Sequence, residues 1–135
     1  DLPLTPLYPF GYGLSYTSFQ YTNLQLSKKK INSHEQIAVT CAITNTGNYA
    51  GEETVQLYIR DKVGSIVRPV KELKDFKKIK LAAGETKTVS FLINREKLSF
   101  YNEQLQWVAE PGDFELMIGA SSRDIRLKSA FELVK

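Results

Sequence analysis

Apolar residues recur at alternate positions along most of this chain, with turn-forming residues between the runs, and the repeat of an amphipathic helix is hard to find. A period of two puts one set of side chains on each face of an extended strand, so the chain is constrained to sheets that bury one face. The clearest case is 35–46, where Ile37, Val39, Cys41 and Ile43 share one face and Gln36, Thr40 and Thr44 share the other. After Asn45-Thr46-Gly47-Asn48-Tyr49-Ala50-Gly51, whose Asn and Gly residues tolerate left-handed backbone, Val55, Leu57 and Ile59 alternate against Thr54, Gln56, Tyr58 and Arg60. Gly84 leads into 85–95 with Val89, Phe91 and Ile93 inward, and Pro111-Gly112 leads into 113–120 with Phe114, Leu116 and Ile118 inward. Phe19, Tyr21, Leu24 and Leu26 predict a first strand with an irregularity near Thr22-Asn23, and Ile125, Leu127, Phe131 and Leu133 predict a closing strand. Shorter candidates at 73–81 and 105–109 bring the count to about eight, the pattern of a two-sheet sandwich.

Composition narrows the class further. A chain of 135 residues has the length of one domain, and 42% hydrophobic with 24% charged residues excludes disorder, collagen and coiled coil. No apolar run approaches the roughly 18 residues needed to span a bilayer, so no membrane partner is expected. Eighteen basic residues against 15 acidic ones leave a net charge of +3, too mild to indicate a nucleic-acid partner. One cysteine closes no intramolecular disulfide, and one His with one Cys supplies no four-ligand zinc site; neither metal nor cofactor is expected. An immunoglobulin domain proper would pair two cysteines around a Trp, whereas Cys41 has no partner and Trp107 lies far down the chain; the fibronectin type III variety of sandwich fits better. The segment 1–16 differs from the rest, with three of the five prolines and no alternation until Thr17. It reads as an ordered interdomain connector before a sandwich over 17–135, and its start, with neither Met nor a leader pattern, as a cut within a longer polypeptide.

Five strings in order carry a resemblance: Pro6-Leu7-Tyr8-Pro9-Phe10-Gly11-Tyr12-Gly13-Leu14-Ser15-Tyr16-Thr17, Thr44-Asn45-Thr46-Gly47, Val55-Gln56-Leu57-Tyr58-Ile59-Arg60-Asp61, Arg68-Pro69-Val70-Lys71-Glu72-Leu73 and Pro111-Gly112-Asp113-Phe114. Together they resemble the C-terminal fibronectin type III-like domain of glycoside hydrolase family 3. The resemblance implies an all-β, immunoglobulin-like antiparallel sandwich and a non-catalytic accessory role, docked on the catalytic domains of the same polypeptide. It further implies a parent that is a retaining exo-acting β-glucosidase or β-xylosidase, periplasmic or extracellular. Its Asp nucleophile would come from a barrel and its Glu acid/base from an α/β domain; neither environment is present in this chain. The sequence departs from the family at Lys74-Asp75-Phe76, where Gly often precedes the Phe.

Glu52 and Glu53 are neighbours that point to opposite faces of a strand and are expected to be solvated. Glu72 and Asp75 lie among Lys71, Lys74, Lys77 and Lys78, which keep both ionised and unsuited to acid catalysis. His34 sits in a polar loop with no nucleophile elbow, and Gly11-Tyr12-Gly13 lacks the strand and helix of a phosphate cradle. In 68–80, Leu73, Phe76, Ile79 and Leu81 interleave with lysines as a buried face does with a wet edge. Trp107 is expected in the core or half-buried, so direct carbohydrate binding is not the favoured reading. The expected docking set is Phe10, Tyr12, Leu14 and Tyr16 from the connector, with Val63, Ile66, Val67 and Arg68 from a loop too apolar for solvent.

Overall fold

The computed structural model describes residues 17–62, 71–101 and 103–135. The connector and all eight expected docking residues, Phe10, Tyr12, Leu14, Tyr16, Val63, Ile66, Val67 and Arg68, therefore lie outside the described residues.

In chain order the elements are β1 (Phe19–Leu26), β2 (Lys30–Ile31), β3 (Ile37–Asn45), β4 (Gly51–Asp61), β5 (Glu72–Leu81), β6 (Thr86–Ile93), α1 (Arg95–Leu98), β7 (Phe100–Tyr101), β8 (Trp107–Val108), β9 (Gly112–Ser121) and β10 (Asp124–Leu133). One sheet runs β1-β3-β6 and the other β2-β10-β9-β4-β5, while β7 and β8 form a small ladder of their own. Pairing is antiparallel except where β2 lies parallel to β10.

The alternation in the sequence becomes the core directly. Ile37, Val39, Cys41 and Ile43 of β3 and Val89, Phe91 and Ile93 of β6 join Val55, Leu57 and Ile59 of β4 and Phe114, Leu116 and Ile118 of β9 in one buried cluster. Phe114 and Phe131 are register partners on neighbouring strands and stack with ring centroids 5.3 Å apart. The irregularity expected in the first strand is present: register shifts between Thr22 and Gln25, and Asn23 takes a positive φ of 58°.

Three local expectations are corrected. Tyr58, assigned to the wet face, is only 7% exposed. It lies mid-sheet, with Leu73 opposite on β5 and the buried Met117 opposite on β9, so the outer face of the larger sheet carries an apolar band. On β5 the four apolar residues do not share a face. Leu81 is buried and Ile79 packs against the core, while Leu73 and Phe76 are exposed. Residues 76 and 79 are three apart, and strand alternation sends them to opposite faces; the register shift between Leu57 and Tyr58 then gives β5 an extra residue at Lys74. Finally, the strand expected to reach Arg95 stops at Ile93, because the Asn94 side chain accepts a hydrogen bond from the Lys97 amide (3.2 Å) and caps α1. The turn of helix buries Leu98 under the sandwich.

The two ends of the sandwich differ. At one end β3 finishes, β4 begins, β5 finishes and β6 begins, and Thr17 enters there. At the other end β4 finishes at Asp61, β9 begins at Gly112, and the chain from α1 through β8 is displayed.

Candidate functional site

At the Thr17 end the Asn-Thr-Gly string acts as a clasp. Asn45 is a fully buried polar residue. Its side-chain amide donates to the carbonyls of Tyr49 (2.8 Å) and Leu81 (3.1 Å), and its Oδ1 accepts from Thr17 Oγ1 (2.5 Å) and the Gly47 amide (2.9 Å). Its backbone completes the clasp: Asn45 N–H donates to Glu85 O (2.9 Å), and Gly84 N–H donates to Asn45 O (2.8 Å). One residue thus joins the start of the sandwich, the β3–β4 loop and the β5–β6 turn. Gly47 lacks a Cβ for a matching reason, since an added Cβ would lie 2.1 Å from Thr17 Oγ1 and 3.0 Å from its Cα.

Beside the clasp, Tyr21 on β1 donates its hydroxyl to Glu53 Oε2 on β4 (2.8 Å), linking the two sheets. The guanidinium of Arg126 lies 5.2 Å from the Tyr21 ring centroid, donates to Phe19 O (2.8 Å) and is held by both oxygens of Asp124 (2.6 and 2.9 Å). Burial, with the Glu53 hydrogen bond second, raises the Tyr21 hydroxyl above its ordinary value. Burial also raises Glu53, against the lowering effects of Tyr21 and Arg126. Glu53 is therefore corrected from a solvated charge to an inter-sheet latch, whereas Glu52 is exposed on the opposite face as expected. A raised carboxyl is what a general acid requires, but this one is engaged by a phenol inside the sandwich seam rather than presented to a ligand.

The remaining acidic and basic candidates are structural. Glu72 pairs with Lys74 (3.0 Å) and Asp75 with Lys97 (3.5 Å). At the family departure, Asp75 Oδ1 accepts its own neighbour's amide, Phe76 N–H, at 2.8 Å. β5 is an edge strand, as its lysines implied, and Lys77 reaches over the Phe91 ring at 5.8 Å. His34 is an exposed loop residue whose amide donates to Asn32 Oδ1 (2.8 Å). Cys41 is buried, and burial pushes its thiol up to about 11. Among the described residues no three of His, Cys, Asp and Glu gather as metal ligands, and no helix is long and apolar enough to cross a membrane.

At the far end stands a feature that the sequence reading missed. β7 and β8 pair Phe100 with Val108 and Tyr101 with Trp107. Phe100 and Ser99 are buried, and Ser99 Oγ donates to Arg95 O (2.7 Å), so the base is fixed. Beyond it Tyr101 and Trp107 meet with ring centroids 4.9 Å apart and planes tilted by 57°, while remaining 62% and 46% exposed. Leu105 at the tip takes a positive φ of 60° and is 79% exposed. Trp107 is thus about half-exposed, the half-buried alternative rather than the core. The signal available was its setting: Glu103, Gln104 and Gln106 mark a polar hairpin loop, which outweighs the average tendency of Trp to be buried.

The fibronectin type III-like family model matches residues 53–122. The β-glucosidase BoGH3A of Bacteroides ovatus is 49% identical over 131 residues, covering 96% of this chain and 18% of that protein. A putative β-xylosidase of Formosa agariphila is 48% identical over 130 residues (96% and 17%), and a periplasmic β-glucosidase of Salmonella typhimurium is 45% identical over 129 residues (96% and 17%). Among solved structures, a β-glucosidase from Listeria innocua in complex with glucose superimposes with a TM-score of 0.83 at 44% identity, covering all of this chain and 18% of that one. A mutant of the same enzyme in complex with laminaribiose gives 0.81 at 44% identity, again covering 100% and 18%. The chain therefore spans under a fifth of the length of these relatives.

Proposed function

The chain belongs to the fibronectin type III-like domain family, in the form carried by family 3 β-glucosidases and β-xylosidases, and from that premise we propose that it is a non-catalytic accessory domain of such an enzyme. In this reading it docks on the catalytic domains of its own polypeptide and stabilises them. The observation that carries it is the coverage: relatives nearly half identical match almost the whole of this chain with less than a fifth of their own length. Chemistry supports the same division. A retaining glycosidase needs two carboxyls about 5–5.5 Å apart, one nucleophile and one acid/base. Glu53 is instead held by Tyr21, Glu72 by Lys74, Asp75 by Lys97 and Glu35 by Lys28 and the Asn32 amide, while Glu52 is exposed on the face of β4 opposite Glu53. The reaction then belongs to the rest of the polypeptide, acting on terminal β-linked sugars in a periplasmic or extracellular setting.

Docking on the parent is assigned to the segments read from the sequence, Phe10, Tyr12, Leu14 and Tyr16 with Val63, Ile66, Val67 and Arg68. The test places Asp at Phe10 or Ile66 in the full-length polypeptide and follows melting and activity on aryl β-glucosides and β-xylosides. Loss of parent stability, with the 135-residue chain carrying the same change still folded, supports docking; an unchanged parent refutes it. The 135-residue chain alone is expected to hydrolyse neither substrate.

A further inference from the structure

We infer that the Tyr101–Trp107 hairpin is a saccharide-stacking site for β-linked gluco- or xylo-configured oligosaccharides. The inference rests on the reading above for its ligand class. Its geometry comes from this chain alone.

Glucose and xylose in the β-configuration carry their substituents equatorially, so each ring face presents axial C–H groups as a flat apolar surface rimmed by hydroxyls. Such a ring is matched by an aromatic face in an otherwise polar setting, because the ring face covers apolar area while its hydroxyls stay in water or bond to polar side chains. Tyr101 and Trp107 pack against each other with centroids 4.9 Å apart and planes tilted by 57°, and at 62% and 46% exposed they leave aromatic surface open to solvent. The polar setting is supplied by the exposed Glu103, Gln104 and Gln106.

The site is built on a rigid base and a strained tip. Leu98, Ser99 and Phe100 are buried, which anchors the base of the ladder that carries the rings and limits the backbone ordering cost on binding. Leu105 holds a left-handed backbone at φ 60°, a conformation that costs a bulky side chain of order 1 kcal/mol and clusters at functional positions.

The setting favours a sugar over a protein surface. Glu103, Gln104 and Gln106 are exposed around the two rings, which suits the hydroxyl rim of a pyranose, whereas the centre of a protein interface is depleted of charged residues.

The chain holds a single tryptophan, so its fluorescence reports this site alone. The 135-residue protein is titrated with cellotriose, laminaritriose and xylotriose. A saturable change in emission is expected, weakened about tenfold or more in Tyr101→Ala, where one stacked ring is lost and the reporter is kept. Tyr101→Phe keeps the ring and is expected to bind as the parent chain does, which separates stacking from misfolding. No saturable change, or an equal response in Tyr101→Ala, overturns the inference. So does hydrogen exchange on the full-length polypeptide showing the 99–110 segment already covered without sugar, since the hairpin would then be an interdomain contact. The docking proposal is read from melting of the Phe10 and Ile66 variants, so either can fail without the other.

Discussion

Asn45 shows how one short motif residue governs a whole end of the sandwich. Truncating it removes the partner of two carbonyls, a hydroxyl and an amide, of which the Leu81 carbonyl is buried and the other three part-buried. Each buried group left unsatisfied costs ~1–3 kcal/mol, partly offset by relaxation, so Asn45→Ala is expected to lose about 3 kcal/mol or more by urea unfolding. A loss below about 1 kcal/mol would mean that the clasp does not hold in solution. Cys41 gives a residue-scale prediction of a different kind. Its thiol titrates near 11 when folded and close to 9 when unfolded, so between those values the unfolded chain binds fewer protons than the native one. Stability is therefore fully present below about pH 9 and falls as pH rises through 11. Cys41→Ala should lose packing at every pH yet flatten this alkaline decline. A thiol reagent should label the native protein only as fast as it opens; labelling at the denatured rate would put Cys41 on the wrong face of β3.

At the scale of elements, the first strand is seated by close approach rather than by ladder bonds alone. A Cβ on Gly51 at the start of β4 would meet Thr17 Cγ2 at 2.5 Å and Phe19 Cζ at 3.3 Å. Gly51→Ala should therefore cost ~1–3 kcal/mol by overpacking. Thr17→Ser removes the offending methyl and keeps the oxygen that bonds Asn45, so the Ala substitution should cost less in that background. A double-mutant cycle with no coupling would show that the crowding is relieved elsewhere. Such long-range contacts explain which elements the sequence revealed. β3, β6, β9 and the bulged β1 were legible because one face of each is core and the other solvent, so period two is printed in the residues. Tyr58 and Met117 were not, because mid-sheet residues flanked by strands on both sides are covered by neighbours that alternation does not encode. β5 misled through a residue inserted at a register shift, and α1 through a one-turn helix too short to show a period. Of the functional features, the Asn45 motif was visible as a string but its clasp was not, since its partners lie as far away as Leu81 and Glu85. The Tyr101–Trp107 pair escaped because Trp was judged by its average burial rather than by the polar loop around it.

At the scale of the whole molecule, two forces could hold the sandwich together. Charge is a weak candidate. Lys28–Glu35 (2.8 Å), Arg60–Glu115 (3.2 Å) and Arg126–Asp124 (2.6 Å) all have partners a quarter or more exposed, and such pairs contribute ~0–1 kcal/mol each. The core is the stronger one. Leu57 and Ile118 are fully buried register partners at the centre of the larger sheet, facing the three-stranded sheet across a continuous apolar cluster. Burying one such side chain contributes ~1.5–3 kcal/mol, and replacing it by Ala costs ~2–5 kcal/mol once the cavity is included. Raising salt from ~0.01 to ~1 M shrinks the screening length from ~30 to ~3 Å and removes most surface attraction while leaving the core intact. The 135-residue chain should therefore keep its unfolding midpoint nearly unchanged across that range, while Leu57→Ala lowers it sharply at every salt concentration. If salt shifts the midpoint as far as Leu57→Ala does, the sandwich depends on its charge pairs. In that case its stability could not be assigned to the packed faces that the alternating sequence specifies.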